Sequence, residues 1–257
     1  MLLTGRMWVY TRFPRTYRSI HRARLAARNG RERRLAVAMQ QRTFESPEAL
    51  LEAHFDAWVD DYQNTRPGFL LALQLLGGRP ARIVETGTSA WGTDSTRLFD
   101  AYVRVFGGEF WSIDIRKEPG DRLRGTMSDR TRLLVGDSVE VINQLALQDV
   151  GPIDLFYLDS YDLDWNNPVP AASHGLAEWN ALQPLTAVGT LVLVDDTPES
   201  PEWVPDMKQG WHDSSQRWLV QNGYVPGKGA FIDRSVQSGG TVVKLWHGYN
   251  VLYQFQS

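Results

Sequence analysis

Cysteine is absent from this chain of 257 residues. Disulfide scaffolds, thiolate zinc sites, iron–sulfur clusters and cysteine nucleophiles are therefore excluded by inventory, and a cytoplasmic home is the expectation. No apolar run approaches the ~20 residues that a membrane-spanning helix needs, and the first residues lack the apolar stretch of a secretory signal. Low-complexity tracts, collagen-like periodicity and internal repeats are missing too. What remains is the balance of a globular protein with a full core: 42% hydrophobic, 22% charged and 11% aromatic residues. At this length one large domain, or one with an appended element, is expected.

Acids are scarce at the start of the chain. Residues 1–42 hold eleven arginines against the single acid Glu32, a net of +10, which leaves −13 for the remainder of a chain whose total is −3. Phe13, Tyr17, Ile20 and Ala27 fall on one side of a helix that Pro14 opens, with Arg15, Arg18 and Arg22 opposite. Such an arm can pack on the acidic body or on a second copy of the chain, giving a homo-oligomer. It can equally lie on anionic lipid, follow a phosphate backbone or resemble an organelle-targeting segment. The expected organisation is a basic arm over 1–45, a helical cap over 46–78 and an α/β domain over 79–257.

Ser46-Pro47-Glu48 reads as a helix N-cap followed by a first-turn proline, and the spacing of Leu51, Phe55, Trp58 and Tyr62 predicts a helix over 47–63. A shorter apolar helix follows Arg66-Pro67-Gly68 and is stopped by Gly77-Gly78. Short apolar runs then alternate with helix-length segments: Ala81–Glu85, Phe110–Ile115, Arg132–Val135, Ile153–Leu158 and Thr190–Val194. That rhythm predicts a parallel sheet covered on both faces. A helix from about Met207 to Gln221 precedes two closely spaced runs, Thr241–Trp246 and Val251–Phe255, expected to pair antiparallel at the sheet edge. The fold class is thus α/β: a Rossmann-like, seven-stranded, mostly parallel sheet with helices on both faces and a C-terminal antiparallel hairpin.

The dinucleotide fingerprint G-x-G-x-x-G and the phosphate-loop Gly-Lys-Ser/Thr are both missing. Instead the first strand ends in Glu85-Thr86-Gly87-Thr88-Ser89-Ala90-Trp91-Gly92-Thr93, before a helix marked by Leu98, Tyr102 and Val105. Gly87 and Gly92 let the backbone approach a ligand, the small residues Thr88 and Ser89 leave amides open at a helix start, and Glu85 suits a ligand bearing an ammonium group. The second strand ends on Asp114, able to accept from ribose hydroxyls. Gly136-Asp137-Ser138 follows the third, where Asp137 and Ser138 can meet an adenine amino group.

Carboxylates cluster further on. Asp159 ends strand four and Asp195-Asp196 ends strand five, so in a parallel sheet the three emerge at one edge. Three carboxylates held together repel unless a cation sits among them or one is protonated. Oxygen ligands without histidine or cysteine favour Mg²⁺, with Mn²⁺ or Ca²⁺ as substitutes. The alternative is that Asp195 and Asp196 cap a turn or pair with arginines.

These marks, in this order at successive strand ends, resemble the class I S-adenosylmethionine-dependent methyltransferases over about residues 80–257. The resemblance puts Glu85, Gly87, Thr88, Ser89, Gly92, Asp114, Asp137, Ser138 and Asp159 against S-adenosyl-L-methionine. The 29 residues from Glu85 to Asp114 exceed what the family leads one to expect, and Gly107-Gly108 reads as an extended turn that absorbs them. Within the class, Asp159, Asp195 and Asp196 resemble the ligands of the divalent-metal-dependent O-methyltransferases, which include the catechol, caffeoyl-coenzyme-A and macrolide-sugar enzymes. The implied cofactors are S-adenosylmethionine and Mg²⁺ or Mn²⁺, and the implied substrate is a hydroxyl of a small molecule: a sugar, a natural product or a phenol.

Where catechol-type enzymes have lysine as base, this chain has Asp162, a weak base beside a cation. His174 and His212 are the reserve bases. The loops Thr197–Pro205 and Trp165–Pro168, with Trp203, Trp165 and Asn166, are expected to meet the acceptor, while Trp58 and Trp246 read as core. Nucleic acid is the weaker partner: Leu158-Asp159-Ser160-Tyr161 is not the Asn/Asp-Pro-Pro-aromatic signature of RNA amino-methyltransferases, and the body is acidic. A metal-dependent enzyme on this fold that moves no methyl group is the other alternative.

Overall fold

Every second residue of the central strands packs against one helical layer and the residues between them against another, which is why these strands read as unbroken apolar runs. The computed structural model describes residues 34–89, 92–204, 210–236 and 240–256. The chain divides into two units, Met1–Arg42 and Thr43–Ser257. In the first, residues 34–40 are helical; the helix expected around residues 13–27, and with it the roles of the arm, lies outside the described residues. Ala90 and Trp91 of the glycine turn, and residues 205–209 where the last long helix was to begin, lie outside them as well.

The second unit opens with α1 (Pro47–Trp58) and α2 (Arg66–Leu76). Ser46 caps α1 by accepting from the Ala49 amide, with Pro47 in the first turn, and α2 stops on Gly77 in the left-handed conformation (φ 65°), as glycine permits. The predicted helix over 47–63 is shorter than its pattern. The chain leaves it at Val59, whose backbone is extended, and a 3₁₀ turn over Gln63–Thr65 follows. Tyr62 is thereby freed from the helical stripe and packs on Gly92, where a Cβ would collide with the Tyr62 ring.

The sheet contains β1 (Ala81–Thr86), β2 (Gly108–Asp114), β3 (Thr131–Val135), β4 (Leu155–Leu158), β5 (Leu191–Val194), β6 (Val242–His247) and β7 (Val251–Phe255) in the order β3-β2-β1-β4-β5-β7-β6. The first five are parallel; β7 pairs antiparallel with both β5 and β6. The connecting helices are α3 (Ser95–Phe106), α4 (Lys117–Leu123), α5 (Ser138–Leu147), α6 (Val169–Leu182), α7 (Trp211–Asn222) and α8 (Ala230–Val236). The last of these, in a stretch rich in turn residues, carries too short an apolar pattern to be read from sequence.

Ile83, Phe110, Tyr157 and Leu193 face a core built with α1, α2 and α3, which also takes in Trp58 and Trp246 at its margin. Val84, Trp111, Phe156 and Val192 face the other, built with α5, α6 and α8. Residues 46–78 thus share a core with the sheet. Gly107-Gly108 is no extended turn. Gly107 ends α3, and Gly108 is the first residue of β2, pressed so closely on Ala81 of β1 that a Cβ would meet its backbone. The interval to Asp114 is filled by the full 12 residues of α3. Among the described residues, no helix is long and apolar enough to cross a membrane.

Candidate active site at the strand tips

Parallel pairing brings the C-terminal ends of β1 through β5 to one edge, and the order reverses direction there between β1 and β4, the position where open α/β sheets receive ligands. Hydrogen bonds run past the strand ends: the Asp159 amide donates to Thr86 O (3.1 Å) and the Asp195 amide to Leu158 O (3.0 Å). The acids that follow the strands are therefore held level. Four non-glycine residues with positive φ, namely Ser89, Asp94, Tyr161 and Asp196, sit in the loops leaving this edge. Such conformations cost energy and are kept only where surrounding contacts fix them.

Asp159, Asp195 and Asp196 each offer an oxygen within 4.8 Å of the others. Among them sits a group that sequence reasoning missed. Lys228 Nζ lies 2.5 Å from Asp159 Oδ1 and 3.0 Å from Asp196 Oδ2, with its side chain only 6% exposed. Tyr249 donates to Asp196 Oδ1 and Tyr157 to Asp159 Oδ2 (3.4 Å). Among the described residues, Asp195 Oδ1 is buried without a hydrogen-bond partner. Burial raises the Asp159 carboxyl to about 6, with Asp196 adding to the rise against the pull of Lys228. Asp195 is pushed well above the ordinary carboxylate range by burial and then by Asp159 and Asp196. Burial opposes the Lys228 charge, but Asp159, Asp196 and Asp195 outweigh it and hold the ammonium above its usual value. One ammonium thus leaves the cluster short of positive charge. An all-oxygen donor set with one buried, unpartnered carboxylate oxygen fits a hard divalent cation.

The β1–β3 tips are arranged differently. Glu85 is fully buried and its carboxylate accepts from Ser95 Oγ (2.5 Å), Thr96 Oγ1 (2.6 Å) and Ser112 Oγ (2.6 Å). Burial lifts it to about 8, against the lowering by these hydroxyls. These partners tie β1 to β2 and to the start of α3, so the carboxylate expected to meet an ammonium is fully engaged beneath the turn. Gly87 (φ 90°) lets β1 approach β4: a Cβ there would stand 2.5 Å from the Asp159 carbonyl oxygen. Together with the Tyr62 ring on Gly92, this gives both turn glycines a packing role. Thr88 shares a hydrogen bond with Ser112 (2.8 Å), and the Ser89 amide donates to Thr96 Oγ1 (2.7 Å).

Asp114 accepts from the Arg116 amide (2.7 Å) and from its guanidinium (both 3.1 Å). The guanidinium is 63% exposed, so a ligand hydroxyl can displace it at small cost. Asp137 caps α5, accepting from the amides of Val139 (3.0 Å) and Glu140 (3.2 Å). Ser138 Oγ hydrogen-bonds His174 Nε2 (3.0 Å).

His174 lies within a network joining the β3 and β4 loops: its Nε2 is 3.5 Å from Glu178 Oε1, which also accepts from Ser160 Oγ (2.6 Å), and Tyr161 covers the ring (centroids 5.4 Å). The hydrogen bond to Glu178 raises its pKa, partly against burial. Asp162 is exposed. His212 lies on α7 beside Asp213 and Gln216. Of the residues expected to meet an acceptor, Trp165 is buried against Trp211 (6.1 Å), Asn166 accepts from Ser214 Oγ (3.0 Å), and Trp203 packs edge-on to Trp246. These contacts are internal. For Lys228 the only signal in the sequence was its flanking by Gly227 and Gly229; for Tyr249, its place in the loop of the closing hairpin.

No family model and no curated protein matches the chain. Solved structures do. The methyltransferase PaMTH1 of Podospora anserina, with SAH bound, is 15% identical, with 88% of this chain and 95% of that one covered and a TM-score of 0.50. The O-methyltransferase from Bacillus cereus, in complex with SAH, is 15% identical with 84% and 93% covered and a TM-score of 0.47. The O-methyltransferase TomG from Streptomyces achromogenes, in complex with SAM, is 17% identical with 84% and 92% covered and a TM-score of 0.46. At 15% identity, what is shared with PaMTH1 is the fold.

Proposed function

We propose that this chain transfers a methyl group from S-adenosylmethionine to a hydroxyl of a small molecule, a sugar, natural product or phenol, with Mg²⁺ or Mn²⁺ held by Asp159, Asp195 and Asp196. The observation that carries the reading is the convergence of those carboxylates, from two neighbouring strand tips, with one Asp195 oxygen buried and unpartnered. A methyltransferase of the same fold that binds SAH lends further support. When bound, the sulfonium cofactor supplies an electrophilic methyl group and the divalent ion makes a nearby hydroxyl more acidic.

The protein's part is to hold and orient. Tyr249 and Tyr157 fix the Asp196 and Asp159 carboxylates, and Asp114 takes ribose hydroxyls in exchange for its exposed arginine. Gly87, Thr88, Ser89 and Gly92 form the turn beneath the cofactor, with Glu85 bracing it from below and Asp137 and Ser138 bordering the adenine. The reaction is an in-line displacement in which the new O–C bond forms as the S–C bond breaks. The hydroxyl proton goes to a side chain, and of the three expected bases His174 is the one built into the β3 and β4 loops, whereas Asp162 is exposed and His212 lies on α7. His174→Gln is then expected to slow transfer far more than Asp162→Asn.

The test is methyl transfer by wild type and by Asp195→Ala, with Mg²⁺ and in chelator. Loss of the ligand or of the ion should cost several kcal/mol of barrier, on the order of a hundredfold or more in rate. Full transfer by Asp195→Ala in chelator would end the metal-dependent reading. Calorimetry with S-adenosylmethionine that registers no binding would end the methyltransferase reading itself.

A further inference from the structure

Lys228 has no part in the chemistry just described, yet it is the most deliberately placed side chain at the sheet edge. Its backbone is stitched to the loop that carries the acids: the Lys228 amide donates to Asp196 O (3.0 Å) and the Gly229 amide to Thr197 Oγ1 (2.8 Å). Glycine is needed on both sides for that approach. A Cβ on Gly227 would stand 2.6 Å from Asp196 O, and one on Gly229 would stand 2.9 Å from the Thr197 side chain. On the far side Gly175 of α6 makes room for the Lys228 carbonyl, which a Cβ would strike. The segment is wedged between α6 and the β5 loop, and from there the side chain reaches Asp159 and Asp196 together.

An ammonium so placed is unsuited to take a proton, because the surrounding carboxylates keep it charged. It is suited to neutralise. As a single positive charge it bridges two of the three carboxylates and leaves Asp195 Oδ1 without a partner. A divalent ion gathering all three would have to draw on the same two carboxylates that Lys228 bridges.

We propose that Lys228 is a tethered counter-cation that holds the three-aspartate cluster together in the absence of a divalent ion and competes with that ion for Asp159 and Asp196. The inference rests on the metal-binding part of the proposed function. It implies that metal entry drives the lysine side chain out of the cluster, so that the site is preformed before the ion arrives and binds it less tightly than three unopposed carboxylates would.

Two measurements test it. Mn²⁺ affinity, read from the free-ion paramagnetic signal, is expected to be tenfold or more tighter for Lys228→Met than for wild type. Equal or weaker binding by the variant overturns the competition while leaving the metal site intact, and no Mn²⁺ binding by either protein overturns the competition and the metal site together. The second measurement needs only the wild-type chain and so does not depend on the variant folding. Amine acylation followed by peptide mass analysis should label Lys228 slowly relative to exposed Lys117, and saturating Mg²⁺ should raise the Lys228-to-Lys117 ratio severalfold. A ratio unmoved by Mg²⁺ concentrations that saturate Mn²⁺-competing sites sinks the proposal.

Discussion

At the tips of β1, β2 and β3 each acid takes its partners chiefly from nearby in the chain. Glu85 accepts from Ser95 and Thr96, Asp114 from Arg116, and Asp137 from amides two and three residues ahead. At the tips of β4 and β5 Tyr157 is a near partner of Asp159, but the closest contacts come from far along the chain. Lys228 lies 69 residues beyond Asp159, and Tyr249 lies 53 residues beyond Asp196. The first arrangement satisfies carboxylates with hydroxyls, amides and an exposed guanidinium, and so leaves the surface there able to exchange partners with a polar ligand. The second imports a buried charge, whose removal leaves carboxylates facing one another in a poorly solvated space.

The sharpest way to break this comparison is to remove each half's own cation. Lys228→Met, without divalent ion, is expected to lose about 3–5 kcal/mol of stability, the usual cost of stripping one partner from a buried ion pair. Arg116→Ala, at a guanidinium largely in solvent, should lose about 0–1 kcal/mol. Equal losses in denaturant titrations would show that the two halves do not differ as described.

A second test concerns Glu85. In the folded protein burial keeps its proton on up to about pH 8, whereas in the unfolded chain the group ionises near its ordinary 4.5. Between those values the unfolded state binds fewer protons, so the Glu85 contribution to stability is intact below about 4.5, declines as the pH rises to 8, and is constant above that. Glu85→Gln, which keeps the shape and removes the titration, should flatten the decline across this window; an unchanged slope would mean that Glu85 ionises normally. A similarly small effect is expected at Asp137, where Ala should cost about 1 kcal/mol through loss of the α5 cap, and this cost should be independent of Mg²⁺.

Much of this was legible from residues alone. The strand runs 81–85, 110–115 and 132–135 fall within a residue or two of β1, β2 and β3, because each carries a short apolar pair, Ile83-Val84, Phe110-Trp111 and Leu133-Leu134, between helix-length segments. Gly77 and Ser46 announced helix ends because few residues accept a left-handed backbone or cap an amide so well. The convergence of Asp159, Asp195 and Asp196 also followed, since parallel strands can only end at one edge. Tyr62 was misread, because its helical spacing from Phe55 and Trp58 gave no hint of the bare glycine backbone that draws its ring away. The contacts of Trp165 with Trp211 and of Trp203 with Trp246 had no signal either, because an aromatic residue in a loop looks the same in sequence whatever it packs on.

The sequence by itself determined the layered α/β architecture, the edge at which the acids gather and the carboxylate character of the side chains gathered there, all of which follow from periodicity and residue chemistry. Only the tertiary structure decided that Lys228 is the ammonium those acids meet and which of them, Asp195, is left with an open oxygen. The physical reason is reach: charge neutralisation acts across a few ångströms of space whatever the distance along the chain, and the three glycines that admit Lys228 to that space carry no side chain by which a pattern of residues would reveal it.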